Sequence, residues 1–263
     1  MNIFRFEMKQ YKGSIFIWSI GLSAAILLLL PMFVTFTGDP STVASLANNP
    51  MLDTMGISID VFTTTTGIFS YLNSIIIVAA AIQACNLGLS IITKEHMQNT
   101  ADFLMTKPYS RANIFFSKFL ASLCAIAIIG LCYFIASFGA ITIVSEQGFS
   151  FNHFFRIYLI FPFIQVFFLL LGIVISVVVS RVSATLPVSL GLAFGFYVIG
   201  LFSNVVQSTV ARLFSPYRYF DINLVLASKN YEVGFLALFF ILLLLFFVTS
   251  YIIYIRKDMK MVL

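Results

Sequence analysis

Long apolar runs separated by shorter polar connections dominate the chain. The six runs lie at residues 14–36, 67–93, 113–144, 154–180, 185–207 and 233–255. Each reaches the ~20 residues that a helix needs to cross the hydrocarbon core of a bilayer. The second and third exceed that length, so they are expected to tilt or to extend past the bilayer. Pro31, Pro162 and Pro187 are placed near run ends or first turns, where a missing N–H is best tolerated.

The long polar segment between the second and third runs covers residues 94–118. Met97, Ala101, Leu104 and Met105 recur there at helical spacing, which predicts a short amphipathic helix over 95–106. Thr106-Lys107-Pro108 ends it, because proline disfavours the helical state of the residue before it. Ser110 then stands as N-cap of the next helix. Residues 1–12 set Ile3, Phe4, Met8 and Tyr11 near one helical face, among Arg5, Lys9 and Lys12, which predicts a helix lying in the interface plane. The connection 208–232 is too apolar for a free loop and too polar for a span. It is expected to form short helices that re-enter or lie on the outer leaflet. Residues 37–66, with Pro40 and Pro50, are expected to be irregular.

Charge sets the orientation. The N-terminus, the 94–118 segment, Arg181 and the tail with Arg256, Lys257 and Lys260 carry the basic residues. The alternate connections are acidic or neutral, except 208–232 with Arg212, Arg218 and Lys229. Basic residues favour the inner side, so both termini are expected inside.

The chain has 263 residues, 60% hydrophobic and 10% charged. Soluble domains average roughly 25% charged residues, so this composition is that of an integral membrane protein. We expect one all-α transmembrane domain over residues 1–263. The net charge of +5 comes from residues at run ends and does not imply nucleic-acid binding. Cys85, Cys124 and Cys132 sit inside apolar runs, spaced for neither a disulfide framework nor a metal site.

Several chemistries are excluded by what the sequence lacks. No lysine follows a glycine, so the phosphate-cradling Gly-x-x-x-x-Gly-Lys-Ser/Thr loop is absent and the chain is not expected to bind ATP. His96 and His153 fall at opposite membrane edges and cannot share a site, so no catalytic residue is assigned. The run interiors lack acidic and basic residues, which argues against an ion-coupled carrier. Their polar set is Asn73, Gln83, Asn86, Gln165 and Asn204. These amides either bridge helices or line a passage, and Gln83 and Asn86 are the candidates for a pathway. Gly191 and Gly195 in the fifth run, and Gly21 and Ala25 in the first, are small residues at four-residue spacing. They serve either intrachain packing or a dimer seam, and the motif alone does not choose.

The stretch from Glu95 to Lys118 resembles the cytoplasmic segment after the second span of ABC-2 type transporter permeases. Glu95, Thr100, Asp102, Leu104, Pro108, Ser110, Arg111 and Lys118 match that pattern, and Met105 stands where a second leucine is common. The six-span layout is similar too. The resemblance implies the membrane subunit of an ATP-driven exporter in a bacterial plasma membrane. It implies a coupling helix docked on a separate ATPase subunit that holds ATP and Mg, and a second permease subunit across a dimer axis. On that reading Glu95, Asp102 and Arg111 fix the coupling segment, while Phe103, Leu104 and Met105 supply apolar contact. The expected cargo is a hydrophobic or amphipathic peptide, drug or lipid. The alternatives are a stand-alone secondary transporter or channel, and an immunity or sensor protein on the same scaffold.

Overall fold

The structure, a computed structural model, describes residues 3–38, 59–97, 110–145, 148–179, 184–221, 225–226 and 230–256. Among these residues all regular secondary structure is helical. The long helices are α1 (Ile3–Thr37), α2 (Thr65–Met97), α3 (Arg111–Val144), α4 (Phe151–Val178), α5 (Thr185–Val205) and α6 (Val233–Arg256). All six are long and apolar enough to cross a membrane. Short helical turns at Ile59–Thr63, Thr209–Leu213 and Pro216–Arg218 lie outside them.

In lipid, apolar side chains gain little by leaving the hydrocarbon for a helix neighbour, so close approach and shape decide which helices pair. The most extensive pair is α2 with α4, followed by α1 with α3. The α2–α4 crossing is made by one glycine from each helix. A Cβ on Gly172 would stand 2.5 Å from the Cys85 carbonyl oxygen and 3.0 Å from the Leu89 nitrogen. A Cβ on Gly88 would press still harder on the Leu169 carbonyl. Only hydrogen at these positions lets the two backbones meet. The α1–α3 pair instead uses a stripe at helical spacing, with Leu22, Ile26 and Leu30 buried. The outward faces of α1 and α6 stay apolar and exposed, as with Phe16, Ile17, Leu28, Leu244 and Leu245, which suits contact with lipid.

Two expectations change. The N-terminal residues do not form a separate helix in the interface plane. Residues 3–37 are one continuous helix of 35 residues, about 52 Å long at 1.5 Å per residue. Gly13 and Ser14 offer a local break there, but Glu7 and Tyr11 are buried against the bundle, and α1 runs on through them. Of the helix expected over 95–106, residues 95–97 continue α2, which runs through Met97, and the rest lies outside the described residues. Pro162 lies well inside α4. Its missing N–H leaves the Tyr158 carbonyl without the usual intrahelical donor.

At one end of the bundle sit the start of α1, the end of α2, the start of α3 and the end of α6; this is the basic end. The far end carries the connection between α5 and α6, which folds back on the bundle. Tyr219, Phe220 and Val225 are buried there. Ser215 Oγ donates to the Phe196 carbonyl at 2.8 Å, over Gly200, where an added Cβ would stand 2.7 Å from that hydroxyl. The Arg212 guanidinium pairs with Glu232 at 3.1 Å, lies 3.8 Å from the centre of the Phe235 ring and donates through Nε to the Arg218 carbonyl at 2.9 Å. Arg156 of α4 donates to Asn230 at 2.7 Å, and the Tyr231 hydroxyl donates to the Arg156 carbonyl. Burial pushes the Tyr231 phenol up to about 12, so it remains a donor at neutral pH.

Candidate functional site

The functional side chains form two groups. The first frames the turn between α2 and α3 at the basic end. Ser110 caps α3: its backbone is extended, with φ −67° and ψ 147°, and its Oγ accepts from the Asn113 N–H at 3.2 Å. Arg111, the first residue of α3, donates from Nη1 to the Ile255 carbonyl at 3.2 Å. The last carbonyls of a helix lack intrahelical donors and carry partial negative charge, so a cation there is well placed. Two turns further on, Lys118 is 1% exposed, and its ammonium lies 3.5 Å from the Glu7 carboxylate of α1. The same Nζ donates to the Ile91 carbonyl of α2 at 2.9 Å. Phe115 packs on Tyr254 and Tyr251 of α6, with ring centres 5.4 and 5.6 Å apart. The base of the turn is thus tied to α1, α2 and α6 by directional contacts.

This corrects the expectation that the spans hold no charged residues. Lys118 was expected at the head of the third span, and Glu7 in a surface helix. A lysine seven residues into α3 falls inside the bundle, where an isolated ammonium would be costly, and the Glu7 carboxylate makes it tolerable. The signal in the sequence was the single acid among Arg5, Lys9 and Lys12 at the N-terminus.

The second group lines a cavity of about 380 Å³ toward the far end, between α2, α4, α5 and the α5–α6 connection. Ser70, Asn73, Asn204, Tyr217, Arg218 and Asp221 give it polar groups, while Ile75, Ile77, Ile160, Ile164 and Leu201 give it apolar walls. The polar groups concentrate at the far end. The isoleucines on α2 and α4 lie deeper, with Ser74 and Tyr197 set among them. Asn73 is locked in place: its amide donates to the Ile157 carbonyl at 3.0 Å and its oxygen accepts from Tyr133 at 3.0 Å. Burial lowers the pKa of Arg218, and the nearby Asp221 carboxylate opposes that shift. Burial raises the Tyr217 phenol.

The other candidate residues fall as follows. Glu95 lies in the last turn of α2. Asp102, Phe103, Leu104 and Met105 lie outside the described residues. Gln83 is buried and Asn86 half-buried, and neither lines the cavity. The oxygens of both side chains, and both polar atoms of Gln165, are enclosed without a hydrogen-bond partner among the described residues. Gly21, Gly191 and Gly195 are exposed, and a Cβ on any of them would meet nothing within 4 Å. Among the described residues they make no close approach. Ala25 is half-buried and packs on the core. Gly88 follows Ala84 and Gly172 precedes Ser176 at the same four-residue spacing as the pairs singled out, and nothing in one helix's sequence tells which such site another backbone will cross.

Six membrane-length helices with a braced turn at the basic end fit one broad class, and comparison with known families decides within it. A sequence model described as ABC-2 family transporter protein matches residues 1–259. The chain belongs to this family. It is therefore a multi-pass transporter permease, the transmembrane subunit and not the ATP-binding component. No curated protein matches this permease significantly.

Proposed function

We propose that this permease works as half of the pathway of an ATP-driven exporter in a bacterial plasma membrane. Its basic end faces the cytoplasm, so both termini are inside, as the distribution of Lys and Arg favours. A separate ATPase subunit, which holds ATP and Mg, docks on the segment between α2 and α3. Glu95, Asp102 and Arg111 fix that segment, and Phe103, Leu104 and Met105 give it an apolar contact face. A second permease subunit completes the pathway, with the open small-residue faces of α5 and α1 available to it. The connection between α5 and α6 covers the outer end.

The observation that carries the reading is the bracing at the base of the turn. A lever transmits force only if its root is stiff, and here Lys118, Glu7, Ile91, Arg111 and Ile255 join four helices at that root. The cavity supports an amphipathic cargo, since its walls combine isoleucines with polar groups that include Asn73, Asn204, Arg218 and Asp221. Lys118 and Glu7 do not line that cavity. As a neutralised pair away from it, they are not placed to couple transport to an ion gradient.

The test is affinity purification of the permease from its native membranes, with Glu95→Lys and Arg111→Glu variants beside it. The reading expects a soluble ATPase in near-equal amount with the parent protein and several-fold less with either variant. Equal recovery from all three would remove the docking assignment.

A further inference from the structure

We infer that Glu7 and Lys118 form a buried ionic joint that makes α1 move together with the α2–α3 turn. The inference rests on the coupling role proposed for that turn and assigns these two positioning residues to it.

The geometry is specific. Glu7 is 2% and Lys118 1% exposed, and their charged groups are 3.5 Å apart. The ammonium also holds the Ile91 carbonyl at 2.9 Å. One side chain therefore bridges α1, α2 and α3. Ile91 lies seven residues before position 98 and Lys118 nine residues after position 109, which puts the bridge roughly 10–14 Å from the segment between them at 1.5 Å per residue. It spans both legs of the turn near its root.

Stability alone does not explain such a pair. A buried ion pair often contributes no more than well-packed apolar residues of the same volume, because desolvation offsets the attraction. What it adds is direction. The α1–α3 contact is otherwise a stripe of Leu22, Ile26, Leu30 and their neighbours, and apolar ridges in lipid can slip by a turn with little penalty. A charge pair cannot slip, since sliding would leave two unpaired charges in the bundle. The joint therefore fixes the register of α1 on α3, and α1 must follow any displacement of the turn.

The experiment uses the permease purified with its ATPase, with Cys85, Cys124 and Cys132 replaced. Spin labels go on Lys9→Cys and Phe116→Cys, both exposed positions on α1 and α3. A control pair, Phe116→Cys with Leu186→Cys, reports movement of α3 against α5. Distances are read by pulsed electron resonance before and after addition of ATP with vanadate. The control distance should shift by about 5 Å, one helical turn at most, while the Lys9–Phe116 distance stays fixed. In Lys118→Met, and in the milder Glu7→Gln, the Lys9–Phe116 distance should become nucleotide-dependent. The double exchange Glu7→Lys with Lys118→Glu should restore part of the rigidity, because the pair is remade but the Ile91 contact is not. A purely structural role would alter expression or melting without making that distance respond to nucleotide. A fixed distance in both single variants, or one that shifts in the parent, overturns the joint and leaves the docking assignment intact. A control distance that never responds overturns the coupling role itself, and the joint with it.

Discussion

Replacing Gly172 with alanine tests the α2–α4 crossing, the contact that sets where α2 delivers its basic end. The added carbon would stand 2.5 Å from the Cys85 carbonyl oxygen, and ordinary contact begins at 3.4 Å. Its three nearest neighbours are all backbone atoms of α2, so no side chain can swing away. The helices must part locally by about 0.9 Å, and a gap of that size forfeits a quarter to a half of each dispersion contact along the seam. Overpacking of this kind costs about 1–3 kcal/mol. Alanine's better helix propensity returns up to about 1 kcal/mol, so a net loss of about 1–2 kcal/mol is expected. Gly139→Ala, in α3, is the matched control, because its Cβ meets nothing within 4 Å; it should be neutral or slightly stabilising. Cys85 is fully buried at the crossing, so with the half-buried Cys124 and Cys132 replaced a thiol-reactive dye reports its opening on heating in detergent. Gly172→Ala should melt several degrees below Gly139→Ala. Equal melting would show that the backbones are not in contact there.

Other consequences follow from the same contacts. Tyr133→Phe leaves the Asn73 oxygen buried without its donor and should lower stability by about 0.6–2 kcal/mol, measured as a shift in the same dye assay. Arg212→Ala removes the Glu232 pair, the Phe235 ring contact and the bond to the Arg218 carbonyl; limited proteolysis should then cut the 208–232 connection markedly faster than in the parent. Leu201→Trp places bulk in the cavity wall and should at least halve amphiphile-stimulated ATP hydrolysis by the assembled complex, while leaving recovery of the ATPase subunit unchanged.

The spans were legible because length and apolarity alone mark them, and the observed helices begin and end within a few residues of the expected runs, apart from the start of α1. The details that failed share one cause: they depend on neighbours. A lysine reads as interfacial until a second helix supplies a carboxylate beside it, as Glu7 does for Lys118. Small residues at four-residue spacing do not tell which site a second backbone will cover: Gly88, four after Ala84, and Gly172, four before Ser176, are crossed, whereas Gly191 and Gly195 meet nothing among the described residues. Asn73 and Asn204 line the cavity while Gln83 and Asn86 do not, because a one-dimensional pattern does not tell which amide faces a gap between three helices. The separate surface helix at the N-terminus failed for the same reason: Gly13-Ser14 offers a local break, but burial of Glu7 and Tyr11 against the bundle carries α1 through it.

The account turns on contact between the α2–α3 segment and a separate ATPase. A photoreactive benzoylphenylalanine placed at Leu104 in living cells measures that contact directly. The account predicts one dominant adduct, with a soluble protein that binds ATP, and protection of position 104 from membrane-impermeant reagents added outside. Adducts with lipid alone, or labelling of position 104 from outside the cell, would contradict it.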